Sequence, residues 1–116
     1  MGARGVIGAG SALAAVMAAL VASAEPIPAI DVQLFQFQPG AVVVSAGTTV
    51  TWTNRDDIEH TVTSGDPEHR IGRFDLRLSG RGASTTVRFS EPGVYDYFCD
   101  RHPSMRGEIR VNASQP

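Results

Sequence analysis

From residue 25 onward, apolar and polar positions alternate in short runs, and Gly or Pro interrupts these runs about every ten residues. A period of two puts apolar side chains on one face of a pleated strand, and regular breaks turn successive strands back on one another. The pattern therefore predicts an all-β sandwich. Asp31–Gln38 reads as a strand whose apolar parity switches between Leu34 and Phe35, which predicts a bulge or a crossing between sheets. Pro39-Gly40 turns the chain into Val42–Val44. Gly47 opens a strand over Thr48–Asn54, where Val50, Trp52 and Asn54 share one face. His60–Thr63 forms a short strand centred on Val62. Residues 64–82, with Gly65, Gly72, Gly80 and Gly82 and many charges, read as an irregular connection carrying one short edge piece at Phe74–Leu78. Thr85, Val87 and Phe89 alternate in the next strand. Glu91-Pro92-Gly93 makes a tight turn into Val94–Cys99, and Gly107–Asn112 closes the sheet. The sum is seven or eight strands and no helix.

Composition supports this and removes other folds. The chain has 116 residues, enough for one domain. Lys is absent, and beyond residue 24 Val, Thr and Ile far outnumber Leu and Ala. Such β-branched residues lose rotamer freedom in a helix and suit a sheet, which argues against a helical bundle, a coiled coil or a fold with crossover helices. The net charge of −2 supplies no electrostatic footprint for nucleic acid.

Residues 1–24 differ from the rest. Arg4 gives a weakly positive start, Val6–Val21 is apolar and rich in Ala, and Ala22-Ser23-Ala24 is a small-x-small cleavage pattern. The run is barely long enough to span a bilayer. The cleavage pattern and the Glu25-Pro26-Ile27-Pro28 break favour a cleavable signal peptide over 1–24 and a mature domain over 25–116, with no membrane insertion after cleavage. The expected compartment is extracytoplasmic, the periplasm of a bacterium. Cys99 is then a lone thiol where disulfides normally form, so it needs a chemical role or a buried place.

Its neighbours suggest the role. The chain runs Cys99-Asp100-Arg101-His102-Pro103-Ser104-Met105, so Cys, His and Met recur at intervals of three, while His60 begins another predicted strand. After signal removal Met105 is the sole Met and Cys99 the sole Cys. Thiolate, thioether and imidazole together suit copper, and two His with one Cys in a plane and a weak axial Met make an electron-transfer site. Inward Cys99 carries Tyr97 and Tyr95 inward with it, and puts Asp96 and Phe98 on the outer face, with Phe98 exposed. Pro103 stiffens the loop.

These residues resemble the cupredoxins, or small blue copper proteins. The resemblance runs from Phe35-x-Phe37-x-Pro39 through Val50-Thr51-Trp52-Thr53-Asn54 to Tyr95-Asp96-Tyr97-Phe98-Cys99-x-x-His102-Pro103-x-Met105. The contracted Cys-x-x-His-x-x-Met loop is similar to the amicyanin type among plastocyanin-like members. The resemblance implies a Greek-key β-sandwich and one copper ion held by His60, Cys99, His102 and Met105, with Met105 axial. It implies that Asn54 ties the two ligand-bearing loops together, with a partner around Asp100. It also implies electron exit through the solvent-facing edge of His102 to redox proteins that dock transiently there. Glu59 departs from the family, which usually has Pro immediately before the first His. It sets a carboxylate beside Asp56 and Asp57 on the loop leading to the site.

The leading expectation is an exported, monomeric carrier of single electrons, not an enzyme. Periplasmic copper delivery or buffering at the same site is the alternative; such sites tend to be exposed and rich in Met or His. A Cys–His hydrolase needs a separately oriented base and an oxyanion site, and neither is visible. A zinc site would more usually lack Met. His69, in the charged Asp66–Arg70 stretch, reads as a solvated residue, and Trp52, Phe37 and Phe89 read as core. Asn112-Ala113-Ser114 matches a glycosylation sequon, a pattern common by chance.

Overall fold

A computed structural model describes residues 27–114; the expected signal peptide lies outside the described residues. Nine strands occur among the described residues: β1 (Ala29–Gln33), β2 (Gln36–Gln38), β3 (Ala41–Ser45), β4 (Thr48–Asn54), β5 (His60–Asp66), β6 (His69–Leu78), β7 (Ser84–Phe89), β8 (Gly93–Phe98) and β9 (Arg106–Asn112). They form two sheets, in the orders β2-β1-β4-β7 and β3-β9-β8-β5-β6. Two pairs are parallel, β1 with β4 and β3 with β9, and the rest are antiparallel. The all-β sandwich read from the sequence is thus the fold.

The alternation positions the core. Ile30 and Val32 on β1, Val50 and Trp52 on β4, Phe89 on β7, Tyr97 on β8 and Ile109 and Val111 on β9 all point between the sheets and are buried. Trp52 and Tyr97 meet at right angles with centroids 5.4 Å apart, and Phe37 packs across Tyr97 at 4.7 Å. Edge-to-face pairs of this kind add to the burial of large apolar area. Opposite Tyr97 in the β8–β9 ladder stands Gly107, where a Cβ would lie 2.2 Å from the phenol ring. Only glycine leaves room for that ring.

Three details differ from the sequence-based expectation. The parity switch at Leu34–Phe35 is neither a bulge nor a crossing. It is a two-residue turn between β1 and β2, with Leu34 at φ 54° and Phe35 at φ 57°. Two consecutive left-handed residues are the signature of a type I′ hairpin, whose twist matches paired strands. The sequence concealed it because Asn and Gly normally fill these positions, and bulky side chains there cost about 1–2 kcal/mol each. This turn splits the first predicted strand and raises the count to nine.

The stretch read as an irregular connection is instead a long hairpin. β6 runs ten residues against β5, and a bulge falls between Thr63 and Gly65. Gly65 sits at φ 102°, and a Cβ there would come within 2.2 Å of the His69 carbonyl oxygen. Its glycines and charges suggested loop, but the charged side chains sit on an edge strand, where charge is tolerated and blunts association with other chains.

Phe98, expected on an exposed outer face, is only 1% exposed. It does face away from the core, but it pairs with Thr63 of β5 and lies beneath the Arg70 guanidinium, 5.7 Å from its ring centroid. β5 is interior to its sheet and buried along nearly its whole length. The long Arg70 side chain from β6 lies over Phe98 on that outer face, an arrangement that strand parity cannot reveal.

Candidate metal centre

The site forms at one end of the sandwich. His60 is the first residue of β5, and Cys99 follows the last residue of β8. A tight loop then leads through His102 to Met105, just before β9. Three backbone bonds fold that loop on itself: Cys99 N–H to the Met105 carbonyl at 3.1 Å, His102 N–H to the Cys99 carbonyl at 3.2 Å and Met105 N–H to the His102 carbonyl at 2.9 Å. Cys99 and His60 are fully buried and Met105 nearly so, while His102 is partly exposed.

The ligand-type atoms converge. Cys99 Sγ lies 3.6 Å from His60 Nδ1 and 3.7 Å from His102 Nδ1, and all three atoms fall within 4.8 Å of one another. A point equidistant from them is about 2–2.5 Å from each, the bond length that imidazole nitrogen and thiolate make with a first-row metal ion. Met105 is buried in the hydrophobic core that also contains Cys99, and its carbonyl accepts the Cys99 N–H. The donor set of two imidazoles, a thiol and a thioether fits copper.

Neighbouring groups hold the donors. The Thr61 backbone N–H points to Cys99 Sγ at 3.4 Å, and Thr61 Oγ1 accepts the Asp100 N–H at 2.7 Å. The Asp100 carboxylate pairs with Arg70 of β6. Glu59 accepts from Arg101 at 3.0 Å and from Arg77 at 3.4 Å, so the residue in the family's usual proline position bridges the Cys–His–Met loop and β6.

Asn54 is buried as expected for a supporting residue, but its bonds differ from the expectation. Its Nδ2 donates to the carbonyls of Ile58 at 2.8 Å and Leu78 at 3.1 Å, and its Oδ1 accepts the Asp56 N–H at 2.9 Å. It braces the approach to His60 against the end of β6 and does not reach Asp100. The amide's hydrogen-bonding capacity goes to these nearby groups, and Thr61 makes the link between the two ligand-bearing segments. A threonine one residue after a histidine gave no sequence signal beyond strand propensity.

Asp56 and Phe35 also escaped sequence reasoning as site residues. Asp56 Oδ2 lies 2.8 Å from His60 Nε2, while the same carboxylate accepts the Leu34 N–H at 2.9 Å and the Phe35 N–H at 3.2 Å. Burial alone would raise the Asp56 carboxyl; its bonds to His60, Leu34 and Phe35 outweigh that and hold it below its usual value. Phe35 stands nearly perpendicular to both imidazoles, with centroids 5.6 Å from His60 and 5.0 Å from His102. Burial, followed by the charges of His60 and Arg101, lowers His102. Leu34, Phe35 and Ile58 leave apolar surface exposed at this end of the molecule. His69 lies on the β5–β6 hairpin, exposed, with its backbone N–H bonded to Asp66, and is not part of the cluster.

Sandwich and donor cluster together define a small copper protein. The profile for "Copper binding proteins, plastocyanin/azurin family" matches residues 27–112, and the chain belongs to that family, one of electron carriers and not enzymes. Amicyanin-alpha of Methylorubrum extorquens is 34% identical over 87% of this chain and 88% of its own length. The chloroplastic plastocyanin of Tetradesmus obliquus is 33% identical over 89% and 77%. Among solved structures, a purple cupredoxin from Nitrosopumilus maritimus superposes with a TM-score of 0.67 at 30% identity, over 73% of this chain and 99% of that one. A Cu(I) amicyanin variant gives 0.63 at 27% identity, over 79% and 88%. The cupredoxin resemblance read from the sequence is therefore the family.

Proposed function

We propose that the chain is an exported, monomeric electron carrier that holds one type 1 copper ion at His60, Cys99, His102 and Met105. The observation that carries this reading is the convergence of Cys99 Sγ, His60 Nδ1 and His102 Nδ1 at the buried end of the sandwich. Copper supplies a one-electron couple between Cu(I) and Cu(II). The residues supply a fixed frame: His60 and Cys99 come from paired strands and the Cys99–Met105 loop is internally bonded, so the donors need little rearrangement between the two charge states. His102 is the electron exit because it alone of the three converging donors reaches solvent. Exposed Leu34, Phe35 and Ile58 at the same end give a redox partner an apolar place to dock transiently. The Ala-rich leader over 1–24, cut after Ala24, takes the chain to the periplasm. The buried Cys99 and His60 favour electron transfer over copper delivery, which needs an exchangeable site.

The test is a visible spectrum of the protein titrated with Cu(II) and then reduced with ascorbate. An intense blue band saturating at one copper per chain, bleached by reduction and restored by reoxidation, supports the reading. Copper uptake with only a pale band overturns it.

A further inference from the structure

One carboxylate joins two features that the copper reading leaves separate. The Leu34–Phe35 turn holds two bulky side chains in the left-handed region, a conformation such residues rarely adopt. Both of its backbone N–H groups donate to Asp56. The same carboxylate reaches His60 Nε2. An ionised carboxylate can only accept, so the ring proton sits on Nε2 and the Nδ1 lone pair is left facing Cys99 Sγ. Asp56 is itself fixed, because its own backbone N–H is held by buried Asn54.

We propose that Asp56 is a positioning residue acting on two elements at once. Its carboxylate fixes the His60 imidazole with Nδ1 toward the metal, and it clips the Leu34–Phe35 turn so that the Phe35 ring lies across His60 and His102. The inference rests on the copper reading given above. Strained backbone at a functional site persists only where its surroundings over-determine it, and Asp56 supplies two charge-assisted bonds for that purpose. A carboxylate on the far nitrogen of a metal-ligating histidine sets the tautomer and makes the ligand more basic. That favours Cu(II), the ion of higher charge. Leu34 and Phe35 contribute through their placement: the turn carries Phe35 over the imidazoles while Leu34 stays 72% exposed.

The test separates the two halves of the clasp. In the copper-free protein, NMR follows the His60 Nε2–H proton and the ring resonances of Phe35. Asp56→Ala is expected to expose that proton to fast exchange and to shift the Phe35 resonances. Asp56→Asn keeps one oxygen, which facing His60 Nε2 retains a protected ring proton and the Phe35 N–H bond. It sets an amide NH2 against the Leu34 N–H, however, so the turn loosens and the Phe35 resonances shift. Adding Leu34→Gly to Asp56→Ala lets the turn form unaided, which restores Phe35 but not the His60 proton. In the copper-loaded protein, Asp56→Ala weakens Cu(II) binding 10–100-fold, with a smaller effect on Cu(I). Each tenfold selective loss raises the reduction potential by about 59 mV. Unchanged His60 protection, Phe35 shifts and potential in Asp56→Ala overturn the clasp; if the alanine variant does not fold, unchanged Phe35 shifts and an unchanged potential in Asp56→Asn do so. A wild-type chain without a blue band overturns the copper reading instead, and the copper-free NMR still decides the clasp.

Discussion

The backbone N–H of Thr61 points at the sulfur of Cys99, 3.4 Å away, from a position 38 residues earlier in the chain. The Thr61 side chain completes the link by accepting the N–H of Asp100, and its hydroxyl also meets that of Thr63 at 2.9 Å. One residue thus ties the strand that bears His60 to the segment that bears Cys99, by a backbone bond and a side-chain bond that mutation can separate. Thr61→Val removes only the second. It leaves the Asp100 N–H without its acceptor, at a cost of about 1–3 kcal/mol. The copper-loaded variant is expected to keep its blue band, with a lower denaturation midpoint and faster hydrogen exchange at Asp100. Loss of the band would mean that the hydroxyl shapes the sulfur's surroundings directly.

Cys99→Ser tests the sulfur itself. Serine is close in size and keeps the backbone bonds of the loop, so the sandwich is expected to persist, as far-UV circular dichroism would show. The thiolate-to-copper band is expected to vanish. A strong blue band in this variant would refute the ligand assignment.

The Met105 side chain is buried, and the residue's backbone carbonyl is bonded to the Cys99 N–H. Replacing its thioether with the harder amide oxygen of Met105→Gln is expected to keep copper bound and lower the reduction potential, because a harder axial donor favours Cu(II). Cyclic voltammetry reads the shift. An unchanged potential would show that Met105 is not axial.

Gly107 tests the core. An added methyl group would fall on the Tyr97 ring, within 2.2–2.7 Å of three of its atoms, in a part of the sandwich held on both sides by paired strands. Gly107→Ala is expected to cost about 1–3 kcal/mol and lower Tm by roughly 5–20 °C. Differential scanning calorimetry of the copper-free protein checks this without interference from the metal.

Tyr97 sets an alkaline limit on stability. Burial pushes its hydroxyl up to about 12, with the nearby Trp52 N–H offsetting only part of the effect. The folded chain therefore holds this proton more tightly than the unfolded chain does. The resulting stability is intact below about pH 10, where an unfolded tyrosine begins to ionise, and is lost as the pH climbs toward 12. The expected slope is about 1.4 kcal/mol per pH unit in that window. Tyr97→Phe removes this slope, which denaturant midpoints measured between pH 9 and 12 would show.

Sequence alone determined the architecture, because period-two alternation and turn residues act locally. Val50-x-Trp52-x-Asn54 fixes which face of β4 is buried wherever that strand sits. It also singled out Cys99, His102 and Met105 as candidate donors, since they lie within seven residues of one loop and the spacing constrains them strongly. Tertiary structure alone decided what surrounds those donors. Phe35 meets His60, and Asp56 meets the Leu34–Phe35 turn, only because the β1–β2 turn folds beside the β4–β5 connection, contacts that span more than twenty residues. Phe98, paired with Thr63 of interior β5, also has Arg70 of a different strand lying over its ring. Asn54 bonds to Leu78 rather than toward Asp100 because β6 ends beside it. Side-chain periodicity records which way a residue points along its own strand; which partner it meets depends on how distant segments pack.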